Sequence, residues 1–157
     1  MKKFAKVLFL AVLTLTVTGC FGRIVDWNPV ELEICIQDRN GNDLLDPSSQ
    51  KFIGEDISLT YKEEEYRYSK PTKYYMPDFY GLKIINSYRD SNKYCIRFGE
   101  LDGAKGYDED FLLKLPDGTV RTIHYHRRIS NLIVPKAHQQ WYLDSDRVDL
   151  PITIEYK

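Results

Sequence analysis

His124 and His126 stand two residues apart in Thr122-Ile123-His124-Tyr125-His126. On a strand, residues i and i+2 point the same way, so both imidazoles can reach one ion. Zinc sites use three or four protein ligands. A third here would come from His138, Asp108 or Asp110. Two polar residues on a solvated strand face, with Ile123 and Tyr125 turned to the core, explain the same pattern without a metal. A second candidate is the stretch Asp38-Arg39-Asn40-Gly41-Asn42-Asp43-Leu44-Leu45-Asp46. Asp38, Asn40, Asn42 and Asp46 match positions 1, 3, 5 and 9 of a helix–loop–helix calcium loop. That loop also needs glycine at position 6 and a bidentate acid at position 12. Asp43 and Ser49 stand there instead. Asn-Gly is a strong turn dipeptide, and Asp and Asn side chains cap their own backbone, so a tight turn accounts for the stretch. Calcium is the minor alternative, and no other cofactor is expected apart from covalent lipid.

Aromatic residues make a third candidate. Tyr74, Tyr75, Phe79 and Tyr80 fall within Lys73-Tyr74-Tyr75-Met76-Pro77-Asp78-Phe79-Tyr80. Tyrosine offers an apolar face and a hydroxyl, which suits a sugar ring or a peptide at a surface. Trp27 and Trp141 would add to such a platform. The competing explanation is that aromatic side chains favour strands and pack across them. The acidic runs Glu63-Glu64-Glu65 and Asp108-Glu109-Asp110 are the fourth. They read as solvated turns that keep strand edges from pairing with other chains. Paired carboxylates also cleave glycosidic bonds, but nothing in the sequence sets two of these at a required separation. No G-x-S-x-G, H-E-x-x-H or phosphate loop is present, and the chain is expected not to be an enzyme, with a metal-dependent enzyme using His124 and His126 as the lesser alternative.

The elements that must position these groups have a period of two nearly throughout. Val30 to Gln37 alternates cleanly. Ile57, Leu59 and Tyr61 alternate, then Lys62 to Glu65 turns the chain, and Tyr66 and Tyr68 return. Gly81 to Arg89 and Tyr94 to Glu100 form two strands around a turn at Asp90-Ser91-Asn92-Lys93. Phe111 to Leu115 leads through Pro116-Asp117-Gly118-Thr119 into Val120 to His126. This is the clearest hairpin signal, because proline presets the turn and glycine accepts positive φ. Val148, Leu150, Ile152, Ile154 and Tyr156 alternate to the end. Eight or nine strands with no convincing helix predict an all-β domain over residues 30–157. Its apolar faces must be buried against another sheet, so the expected fold is a single antiparallel β-sandwich, immunoglobulin-like or related. A closed β-barrel is the alternative. Cys35 and Cys95 each lie on a strand, off its apolar stripe. They either form a disulfide or remain separate thiols.

The first twenty residues have a different character. Lys2, Lys3 and Lys6 precede an apolar run, Val7 to Val17, interrupted only by two Thr. That run is shorter than the roughly 20 residues a membrane-spanning helix needs, and it suits the core of an export signal. It ends in Val17-Thr18-Gly19-Cys20. A small residue before a Cys at this place resembles the lipobox of bacterial lipoproteins. The resemblance implies cleavage of residues 1–19 and lipidation of Cys20, with residues 20–29 as a tether. More than one acyl chain gives stable anchoring. Three of the 22 basic residues leave with the leader, so 19 face 23 acidic ones, a balance of −4. That excludes nucleic acid as a main partner, since phosphate binding needs a concentrated basic face.

Together with this signal, the turn motifs Asp38 to Pro47, Phe98-Gly99-Glu100-Leu101-Asp102-Gly103 and Pro116 to Thr119 resemble those of small Bacteroidota-type lipoproteins: a lipobox signal peptide followed by an all-β domain. No activity is assigned to that group, so no catalytic or binding residue comes with the resemblance. Phe21, in place of the Asp of an inner-membrane retention signal, favours the outer membrane. The absence of acids from Phe21 to Val25 favours its periplasmic face over the cell surface. The expected role is a non-enzymatic binding or support module in the cell envelope, with an envelope protein or a glycan as partner. The sequence sets no oligomeric state.

Overall fold

The computed structural model describes residues 28–68, 81–87, 93–130 and 136–157. Ten strands are found among them: β1 (Val30–Gln37), β2 (Ser58–Tyr61), β3 (Glu64–Arg67), β4 (Leu82–Asn86), β5 (Tyr94–Leu101), β6 (Tyr107–Lys114), β7 (Val120–Ser130), β8 (Lys136–Leu143), β9 (Asp146–Val148) and β10 (Ile152–Glu155). The one helical element among these residues is a single 3₁₀ turn at Gly54–Asp56. The expected leader (residues 1–19), Cys20 and the rest of the expected tether up to Trp27, and Tyr74, Tyr75, Phe79 and Tyr80, lie outside the described residues.

The strands form two sheets. The smaller has the order β10-β1-β5-β4 and the larger the order β3-β2-β6-β7-β8-β9. Neither closes on itself, so the barrel alternative does not form. Among the described residues the strand-to-strand ladders are antiparallel except β1 with β10, where Ile34 to Gln37 run parallel to Ile152 to Glu155, and Tyr68 makes an isolated parallel bridge to Leu82. The inward residues of both sheets share one core. Leu32, Ile34, Ile36, Leu82, Ile96, Phe98, Ile152 and Ile154 come from the smaller sheet, and Leu59, Tyr61, Phe111, Leu113, Ile123, Tyr125 and Trp141 from the larger. Burying each such side chain contributes about 1.5–3 kcal/mol. Phe98 joins the layers: its ring lies 5.9 Å from Tyr61, 4.9 Å from Tyr66 and 6.0 Å from Phe111.

Two local devices set the register. Between Val30↔Leu101 and Leu32↔Phe98, β5 carries one more residue than β1. Gly99 takes φ +74° there, as a bulge requires. At the Pro116–Thr119 turn, Gly118 takes φ +85° and its N–H donates to Leu115 O. The turn at Lys62-Glu63 is tighter than the four residues expected, and both have positive φ. Glu64 and Glu65 therefore belong to β3.

Three expectations from the pattern need correction. The run Asp108-Glu109-Asp110 is strand, not turn, because β6 starts at Tyr107. β8 has polar residues at Lys136, His138, Gln139 and Gln140, and the alternation rule passed over it. The closing stretch from Val148 to Tyr156 is two strands. β9 ends on the edge of the larger sheet, the chain bends at the cis Leu150-Pro151 bond, and β10 joins the smaller sheet. Proline gives no ladder N–H, which suits the place where a chain changes sheets.

Candidate functional site

The turn at Pro116–Thr119 folds β6 back on β7 with a register that counts equally outward from Asp117. Asp110 faces His124 and Asp108 faces His126. Alternation puts all four on the outer face, since Glu109, Phe111, Ile123 and Tyr125 turn the other way. Their side chains meet. His124 Nδ1 is 2.8 Å from Asp110 Oδ1, and His124 Nε2 is 3.2 Å from Asp108 Oδ1. The same Asp108 oxygen is 3.5 Å from His126 Nδ1. One imidazole is thus flanked by two carboxylates, and one carboxylate oxygen bridges two imidazoles. The cluster is open to solvent: His124 is 36 % exposed and Asp108 is 74 % exposed. Tyr142, opposite His124 on β8, places its ring 5.8 Å from that imidazole. His138 sits opposite Arg128, one row beyond His126. Among the described residues no group of three or more His, Cys, Asp or Glu side chains is placed so that it could hold a metal ion.

The Asp38 stretch is organised around its own backbone. Asp38 Oδ1 accepts the N–H groups of Asn40 and Asn42, each at 2.9 Å. Its Oδ2 accepts from Asn42 Nδ2 at 2.8 Å and from Lys51 Nζ at 3.1 Å. The Asn42 side chain and backbone donors hold the Asp38 carboxyl well below the usual carboxylate range. Asp43 accepts the Leu45 N–H on one oxygen and the Tyr94 N–H on the other. Asp46 accepts from the Ser48 hydroxyl and N–H, and these donors lower its pKa too. Of the residues the calcium pattern singled out, Asp38 uses both carboxylate oxygens and Asp46 its Oδ1 to accept local donors, while Asn40 and Asn42 donate to Asp38.

Trp141 leaves the aromatic platform. It is 4 % exposed, stacked on Tyr125 with ring centroids 4.0 Å apart, and part of the core. The sequence placed it on no strand, so its inward direction on β8 was not readable.

Cys35 and Cys95 are opposite each other on β1 and β5, with Cα atoms 4.2 Å apart, and they form a disulfide. They lie on the face turned away from the shared core, yet they are 2 % and 0 % exposed. Glu33 and Ser87 are also buried on this outer face, and the Ser87 hydroxyl donates to the Glu33 carboxylate.

Two further polar groups were not anticipated. Arg127 is 6 % exposed. Its guanidinium donates to Gly103 O at 2.5 Å and to Gln139 Oε1 at 3.0 Å, pinning the β5–β6 turn to β7 and β8. Tyr61 donates to the Glu109 carboxylate, and Lys62 lies 3.2 Å from the same group. Burial, then the Glu109 contact, pushes the Tyr61 hydroxyl up to about 12. A polar residue in phase with the apolar stripe was the available signal: Arg127 shares parity with Ile123 and Tyr125, and Glu109 with Phe111 and Leu113.

No protein-family model matches the chain, and no curated protein and no solved structure matches it either.

Proposed function

We propose that the chain is a lipid-anchored protein of the bacterial cell envelope that acts by binding or support rather than by catalysis. In this reading residues 1–19 are removed, Cys20 is acylated, and the two sheets form a β-sandwich of immunoglobulin-related topology held outside the cytoplasm. The observation that carries the reading is the Cys35–Cys95 disulfide joining paired strands. Such bonds persist in oxidising compartments and are rare in the cytosol. The leader ending in Gly19-Cys20 supports the same compartment from an independent part of the chain. Ten residues from Cys20 to Pro29 reach at most about 35 Å, which keeps the domain close to the membrane surface. The outer membrane is favoured, on its periplasmic side, with an envelope protein or glycan as partner.

Growth with labelled palmitate tests this. The wild-type protein takes up label and Cys20→Ser does not. No label on the wild type, or equal label on the variant, removes the anchor. Protease added to intact and lysed cells then assigns the face: digestion only after lysis is expected. The second reading is recognition of a glycan or peptide by Tyr74, Tyr75, Phe79 and Tyr80. Four aromatic side chains within eight residues favour it.

A further inference from the structure

β8 is paired on both sides at one end only. It ladders to β7 over Lys136–Leu143 but to β9 only over Trp141–Leu143, because β9 stops at Val148. The β8–β9 turn fixes which backbone groups face the gap. Asp144 and Ser145 both have positive φ, as in the two-residue turn that closes on a hydrogen-bonded pair, here Leu143↔Asp146. The Asp144 N–H accordingly donates to Thr122 O on the β7 side. Odd residues of β8 therefore turn their N–H and C=O toward β9. Ala137 and Gln139 turn theirs to an edge that no strand among the described residues covers. Lys136, His138 and Gln139 are exposed along it. Where β9 stops, the edge meets a cavity of about 160 Å³ lined by Gln139, Gln140, Trp141, Arg147, Asp149 and Leu150. Trp141 is 4 % exposed, and its indole N–H has no hydrogen-bond partner. Buried donors are rarely left so. Arg128, Lys136 and Arg147 are exposed on the flanking outer face and form no ion pair among the described residues. A charged edge also keeps like strands apart, but that role accounts for neither the cavity nor the indole N–H.

We propose that this edge docks an extended acidic segment of a partner protein, which continues the line of β9 and adds a strand to β8 at Ala137 and Gln139. Main-chain bonds hold such a segment, and alternate side chains select it. Side chains beside Lys136, His138 and Gln140 fall on the outer face, where carboxylates meet Lys136, Arg128 and Arg147. The side chain opposite Gln139 turns the other way, into the cavity. Asp149 lines that cavity, so a neutral amide fits it better than a carboxylate, and the amide oxygen accepts from the Trp141 N–H. A second copy of the chain on the same edge would set basic side chains against each other. The inference deepens the binding reading above and rests on it for its role in the envelope. Peptide titration and palmitate labelling fail independently.

Titration of the purified, nitrogen-15-labelled protein with the peptide acetyl-Glu-Asn-Glu-Val-Glu-amide, followed by NMR, tests it. The Ala137 and Gln139 amide resonances shift saturably, and the Trp141 indole proton moves downfield; Trp27→Phe assigns that resonance. Methylating the peptide nitrogen of Asn or Val, which faces β8, weakens binding about tenfold or more. Methylating the central Glu nitrogen, which faces away, does not. Ala137→Pro removes an edge-facing N–H and loses binding, while its cross-strand contacts to β7 persist. Lys136→Glu and Arg147→Glu each weaken binding, and acetyl-Lys-Asn-Lys-Val-Lys-amide does not bind. Absence of saturable shifts at about 1 mM peptide overturns the proposal. Full affinity for the peptide methylated at Asn and Val overturns strand addition, and equal binding of the lysine peptide overturns the acidic partner. An unmoved indole proton overturns the role of the cavity. Concentration-dependent shifts at Ala137 and Gln139 without peptide make the occupant a second copy and overturn the partner.

Discussion

Replacing both members of the Cys35–Cys95 pair with alanine tests how the smaller sheet is held. The bridge spans 60 residues of sequence. In the chain-entropy account, a closed loop of that length removes about 4 kcal/mol of freedom from the unfolded chain. The folded state loses little in return. β1 remains paired to β5 from Val30↔Leu101 to Cys35↔Cys95 and to β10 from Ile34↔Ile152 to Gln37↔Glu155. The double substitution therefore leaves the fold intact and lowers its stability by about 4 kcal/mol. A folded part of roughly 130 residues has an unfolding entropy near 0.27 kcal/mol/K, so the melting temperature falls by about 15 °C. Urea unfolding followed by circular dichroism measures the change. The slope with urea is expected to rise as well, because the unbridged chain expands further and exposes more surface. Thiol labelling of the native wild-type protein is expected to find neither cysteine, since both are bonded and buried. A loss below about 1 kcal/mol in a protein shown to be oxidised would refute the reasoning.

Stability is expected to depend on pH on the acid side. Hydrogen bonds in turns hold the carboxyls of Asp38, Asp46, Asp102 and Asp117 below their ordinary values, chiefly through Asn42, Ser48, the Ala104 N–H and the Thr119 N–H. A carboxyl whose folded pKa is depressed contributes fully above its unfolded value, near 4, and the contribution disappears as pH falls through the folded value. The urea midpoint therefore drops below about pH 4. Asp38→Asn flattens that limb, and an unchanged profile in the variant would dismiss the role given to this residue. Gly118→Ala tests the hairpin: φ is +85° and no atom lies within 4 Å of the added Cβ, so the loss comes from backbone strain alone. About 1 kcal/mol is expected from the urea midpoint, with Gly118→Asn losing less because asparagine tolerates this conformation better; equal stability of all three proteins would contradict it.

Much of the architecture was legible because period-two alternation reports burial on one face. β1 runs over the very residues its pattern marked, and the Pro116–Thr119 turn forms where proline and glycine required it. The same register rule, extended outward from Asp117, sets Asp108 and Asp110 against His126 and His124. β8 escaped notice because Lys136, His138, Gln139 and Gln140 carry no apolar stripe; it is held by its ladder to β7 rather than by its composition. The break between β9 and β10 escaped because alternation continues across Pro151 while the chain passes from one sheet to the other.

By itself the sequence determined the all-β character, the Pro116–Thr119 turn, and which residues of the strands it marked share a face. These follow from local chemistry: side-chain alternation and turn residues. Tertiary structure alone decided that β1 pairs with both β5 and β10, that Cys35 meets Cys95, that Arg127 is buried, and that Trp141 belongs to the core rather than to a surface. Those outcomes depend on contacts between segments far apart in the chain. The free energy of such contacts comes from burial and from pairing partners that no single segment contains.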